Sequence, residues 1–133
     1  MKSALRLVDY PGHMQQAAQQ AVGFVERMDK NTFVADRLTQ QAVLFNLVVM
    51  GEAAGNVLTS HADFAQKHPD IPWRSIRATR NRIAHGYFDI DLDIVWDTVQ
   101  SALPPLVAML TTTIAAAEHD LRTGLNPPPG DVP

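Results

Sequence analysis

Apolar residues recur at helical spacing along most of this chain. Met14, Ala18, Ala21, Val25 and Met28 fall at steps of 4, 3, 4 and 3. That is the stripe of an amphipathic helix, and it predicts a first helix over about Asp9 to Met28. Pro11 suits its first turn, where a missing N–H costs nothing. Asp29-Lys30-Asn31 should close it, and Thr32 reads as the N-cap of the next segment. The second segment, Phe33 to Ser60 with a break near Asp36, carries two stripes. One is Leu38, Ala42, Phe45 and Val49; the other is Val43, Leu47, Met50, Ala54 and Val57. Two apolar flanks predict the central helix of a bundle, or one shared between core and subunit interface. Gly51 and Gly55, one turn apart, would let another backbone approach. Glu52 stands between them among apolar neighbours, where a carboxylate needs a partner. Arg77 or Arg80 is the expected one.

Further along, His61 to Lys67 reads as a short helix. His68-Pro69-Asp70-Ile71-Pro72 reads as a turn, since each proline restricts the residue before it. Pro72 is placed as the first residue of a helix running from Trp73 to about His85, with Gly86 as its stop. Another helix should begin near Asp91 or Asp93 and pass through Ala102. Pro104-Pro105 should kink or divide it before Leu106 to Glu118 continues. No strand pattern and no repeat is present. The expected architecture is all-α, four or five helices around one core over residues 1–122. A proline-rich tail over 123–133 is expected to be disordered.

The composition agrees with one such domain. The chain has 133 residues, 46% of them hydrophobic and 19% charged, enough to bury a core. It has no cysteine, which excludes disulfides, cysteine-based metal sites and thiol catalysis. Met1 to Tyr10 lacks an apolar export signal. Ala42 to Leu58 is interrupted by polar residues and glycines, and is expected to be too short and too polar to span a bilayer. A soluble cytoplasmic protein without membrane contact is therefore expected.

A net charge of -3 argues against a broad nucleic-acid track. The charge is uneven, however. Arg74, Arg77, Arg80 and Arg82 supply four of the eleven Lys/Arg within nine positions, and no Asp or Glu occurs from Ile71 to Phe88. Such a cluster suits one phosphate. Arginine clamps a phosphate bidentately, and histidine moves a proton near neutrality. Arg80 and His85 thus hold the parts for RNA cleavage without a metal or other cofactor. A base takes the 2′-OH proton, the oxygen attacks phosphorus, and a cation stabilises the phosphoryl charge. DNA lacks the attacking hydroxyl. Asn81 and His85 are i, i+4, so Asn81 could orient the imidazole. Arg80 and His85 lie roughly 140° apart around an ideal helix. Either the helix ends early enough to bring His85 round, or a second subunit completes the site.

Arg80-Asn81-x-x-x-His85-x-Tyr87 resembles the R-x4-6-H signature of HEPN domains, and more narrowly the RNxxxHxY form of HepT-like toxins. The blocks Asp36–Val43, Met50–Ala54, Ile71–Ile76 and Asp91–Trp96 resemble that family in order and spacing, and the resemblance covers roughly Leu5 to Leu110. It implies a HEPN-type helical bundle and a homodimer whose two motifs share a cleft. The implied activity is that of a metal-independent endoribonuclease, the toxin of a toxin–antitoxin pair. Arg80 would clamp the phosphate, His85 would be the acid/base, and Glu52, Arg77 and Arg82 are possible supporting residues. The implied partner is a minimal nucleotidyltransferase (MNT-type) antitoxin that transfers AMP to Tyr87. That modification adds negative charge and bulk two residues from His85. Gly86 departs from the acidic residue often found at its position.

Two other readings stand beside this one: a catalytically silent nucleotide- or RNA-binding module, and a partner subunit of a nucleotidyltransferase. Asp89, Asp91, Asp93 and Asp97 resemble part of a calcium loop but lack its glycine and distal glutamate. Helix capping is the expected role.

Overall fold

A computed structural model describes residues 6–124. Four long helical rods form the bundle: α1 (Asp9–Phe24), α3 (Arg37–Ser60), α5 (Trp73–His85) and a composite of α6 (Leu92–Asp97) and α7 (Leu103–Arg122). Short helices α2 (Lys30–Ala35) and α4 (Ala62–Lys67) join them. No strand occurs among the described residues. The central rod is α3, which packs on α1 and on α5, while α1 also packs on α7. Its buried residues include Val43, Leu47, Met50, Ala54 and Val57, the second of its two stripes. From the first stripe, Leu38 and Phe45 remain exposed.

Several boundaries differ from the expected ones, for local reasons. The first helix ends at Phe24 because Val25, Glu26 and Met28 donate to carbonyls three residues back, a tighter winding than the α-helix. Val25 stays buried all the same. Thr32 is not an N-cap. The cap is Asp29, whose carboxylate accepts the Thr32 N–H at 2.8 Å, and the helix starts earlier. The break at Asp36 is real. Its carboxylate accepts the Thr39 N–H at 3.2 Å and the Thr39 hydroxyl at 2.9 Å. Those bonds hold the Asp36 carboxyl below the ordinary carboxylate range. Pro72 is the N-cap of α5 rather than its first residue.

Beside Pro104-Pro105 the last rod is divided, as expected, into two α-helical pieces, but it stays continuous. The two prolines open α7, and the strain is taken just upstream, where Thr98–Ala102 forms a π-turn and Leu103 N–H bonds to Thr98 O. This wider turn lets the chain stay helical although two N–H donors are missing. By length and mean hydropathy alone, Arg37–Ser60 and Leu92–Arg122 are long and apolar enough to cross a membrane, contrary to the expectation for the first. Half of the apolar window of Arg37–Ser60 is buried inside the bundle. Most of the expected proline-rich tail, 125–133, lies outside the described residues.

Candidate active site on the motif helix

The motif helix α5 is pinned at its start. Trp73 is buried and its indole N–H donates to His68 O at 3.0 Å. Ile76 and Ile83 bury the flank that faces the core. The helix then crosses α3 at Gly51. A Cβ at position 51 would lie 2.0 Å from Arg80 Cβ and 3.1 Å from Ile76 O. Only glycine permits this approach. One turn along, Arg77 runs past Gly55 at ordinary contact distance.

This crossing sets Arg80 beside Glu52, the residue after Gly51. Arg80 Nε lies 2.5 Å from Glu52 Oε1, so the expected carboxylate partner is Arg80 rather than Arg77. The Nε atom is buried and its N–H is not aligned on a hydrogen-bond acceptor. The contact is therefore a close charge pair rather than an aligned hydrogen bond. Nη1 donates to Asn81 Oδ1 at 3.2 Å. The remaining Nη donors form a fork of the kind that grips a phosphate.

His85 is the last residue of α5 and is exposed. The final turn stays α-helical, since Gly86 N–H bonds to Arg82 O at 2.8 Å. Gly86 ends the helix at φ -135°, not in the left-handed conformation. The helix therefore does not end early, and one chain does not bring His85 onto the face of Arg80. Among the described residues Asn81 makes no hydrogen bond to His85; its amide oxygen is used by Arg80. Arg82 points to the opposite side of α5. There it lines a cavity, and its Nη2 donates to Thr79 Oγ1 at 3.4 Å. The arginine cluster is thus split: Arg77 and Arg80 run along the Gly51–Gly55 flank of α3, and Arg82 lies on the other side of α5.

Tyr87 sits on a 3-10 turn, Tyr87–Asp89, directly after the helix. It is 43% exposed. Its hydroxyl accepts from Gln41 Nε2 at 3.4 Å, and its ring meets Phe88 edge-on at 5.7 Å. Gln41 is a neighbour that sequence spacing did not reveal. It belongs to one exposed stripe of α3 with Leu38 (78% exposed) and Phe45 (68% exposed), and Glu52 lies two turns beyond Phe45. An apolar strip therefore borders the Arg80 and Tyr87 side chains. Two of the four aspartates act as a cap and a strut. Asp91 caps α6 through the Asp93 and Ile94 N–H groups, and Asp93 pairs with Lys30 at 3.2 Å. Among the described residues no three His, Asp or Glu side chains converge as metal ligands.

Fold and motif helix together define an all-α bundle of the HEPN type. The model of the family described as ribonuclease HepT-like matches residues 14–112. A Thermococcus cleftensis protein named "Probable ribonuclease HepT" is 34% identical over 98 residues, covering 74% of this chain and 86% of that protein. A Methanocaldococcus jannaschii protein named "Putative RNase" is 36% identical over 83 residues, covering 62% of this chain and 66% of that protein. A similarly named protein of Caldanaerobacter subterraneus is 29% identical over 97 residues, covering 73% and 84%. No solved structure matches the chain. The chain belongs to the HepT-like ribonuclease family.

Proposed function

We propose that this protein is a metal-independent endoribonuclease whose active site is completed by a second copy of the chain. The observation that carries this reading is the geometry of α5. Arg80 is held against Glu52 and Gly51 on one flank, while His85 projects from a helix end that never turns back toward it. A homodimer in which two motif helices face each other places the His85 of one chain opposite the Arg80 of the other. The exposed strip of Leu38 and Phe45 beside the site supplies apolar surface for that contact.

In this cleft the Arg80 fork binds the non-bridging phosphate oxygens. The His85 imidazole removes the 2′-OH proton, and the 2′ oxygen attacks phosphorus. The bond to the 5′ oxygen breaks, and the imidazolium returns the proton to that leaving oxygen. The products are a 2′,3′-cyclic phosphate and a 5′-hydroxyl. Asn81 steadies the guanidinium through its amide oxygen.

The same reading makes the protein the toxin of a toxin–antitoxin pair. The exposed Tyr87 hydroxyl attacks the α-phosphorus of ATP on an MNT-type antitoxin, releasing pyrophosphate. Each AMP brings a negative charge to the cleft that Arg80 serves. The test is purified protein with RNA in excess EDTA. Cyclic-phosphate ends that are lost in folded His85→Ala support the reading. Cleavage retained by that variant, or no cleavage by the parent protein, overturns it.

A further inference from the structure

Behind α5, on the side away from Glu52, lies a cavity of about 370 Å³, within the range of about 300–1,000 Å³ typical of small-molecule sites. Its walls come from Ile83 on α5, Ile90 after the Tyr87–Asp89 turn, and Ile94 and Val95 on α6. Arg82 and Asp89 are among its ionic lining residues. Among the described residues Arg82 has no carboxylate within ion-pair distance, and its hydrogen bond goes to the Thr79 hydroxyl at 3.4 Å. Asp89 likewise has no basic partner there. Asp91 also lines the cavity, but its carboxylate is committed to capping α6. The cavity thus offers apolar walls, one free guanidinium and one free carboxylate.

We propose that this cavity is a guanine-binding subsite of the RNA substrate, an inference that rests on the ribonuclease reading. A flat aromatic base suits the isoleucine walls. Guanine presents adjacent O6 and N7 acceptors to an arginine fork, and adjacent N1–H and N2–H donors to a carboxylate. Adenine and cytosine lack the paired donors on one edge, and uracil has a single N–H donor. The cavity also reaches Gly86, the residue between His85 and Tyr87. A base held there lies at the end of the helix that carries His85, so it belongs to a nucleotide flanking the cut.

The test is titration of the full-length protein with GMP, AMP, CMP and UMP, followed by backbone amide NMR. The four share a ribose phosphate, so differences report the base. GMP should bind at least tenfold tighter than the others and shift the amides of Ile83, Ile90 and Ile94. Both Arg82→Ala and Asp89→Asn, each checked for an unchanged melting curve, should lower GMP affinity about tenfold and leave AMP affinity as it was. Equal binding of all four nucleotides overturns the proposal. So do GMP shifts confined to Arg77–Asn81, and GMP affinity unchanged in both folded variants. Failure of the ribonuclease reading shows separately, as RNA left intact by a protein that still selects GMP.

Discussion

Gly51 and Arg80 touch: a methyl group on the glycine would overlap the arginine's Cβ, at 2.0 Å. The clash is with the root of the side chain, which cannot swing away. Gly51→Ala should therefore force α5 off α3, at about 1–3 kcal/mol for overpacking, of which up to about 1 kcal/mol is returned by better helix propensity. Gly55→Ala is the control. It meets only the flexible Arg77 stem at 3.4 Å, so it should be neutral or stabilising by up to about 1 kcal/mol. Chemical denaturation of the two variants checks the contrast.

Glu52 is half exposed and Arg80 about one-third exposed, so their pair contributes little to stability, about 0–1 kcal/mol. Its effect is on where the guanidinium points. Glu52→Gln should leave the melting temperature nearly unchanged and lower kcat for RNA cleavage roughly tenfold to a hundredfold, as misplaced catalytic groups do. Glu52→Asp should recover part of that loss. Steady-state kinetics with a short RNA separates kcat from KM.

In the proposed dimer the exposed strip of Leu38 and Phe45 meets the second copy. Phe45→Arg places a charge in that contact and should shift the protein to monomer in sedimentation at micromolar concentration. Cleavage should fall with the dimer fraction, while the helical circular-dichroism spectrum stays the same.

His61 links α3 to α4, and its ring lies 6.1 Å from Tyr10. Burial pushes its pKa below the ordinary 6.5. A histidine lowered in this way is protonated more readily in the unfolded chain. Folding therefore carries no protonation penalty from this group above about pH 6.5 and loses stability as the pH falls through the lower folded value. The melting temperature of wild type relative to His61→Gln should therefore fall between pH 7.5 and 5.5.

Much of this was legible from residue spacing. The 4, 3, 4, 3 pattern of Met14 to Met28 located the first rod, and the motif helix was placed from Trp73 to about His85. The glycine pair pointed to a close crossing, which the structure places at Gly51, while Gly55 meets only the Arg77 stem at ordinary contact distance. Caps were harder. Asp29 and Thr32 are both good cap residues, and only the hydrogen-bond geometry decides between them. The split of the arginines was also hidden. Periodicity puts Arg80 and Arg82 on different sides of α5, but it does not say which side faces Glu52 and which lines a cavity. Gln41 beside Tyr87 depends on how α3 and the turn after α5 are arranged in space, which no local pattern encodes.

The proposed pairing joins Arg80 of one chain with His85 of the other. It is tested most directly by a mixed dimer, purified through two different tags, of an Arg80→Ala chain and a His85→Ala chain. Each variant alone forms dimers with no complete site. The mixed dimer holds one site with both residues and one with neither, so it should cleave RNA in EDTA at about half the rate of the wild-type dimer. A mixed dimer as inactive as its two parents, beside an active wild type, would contradict the shared site.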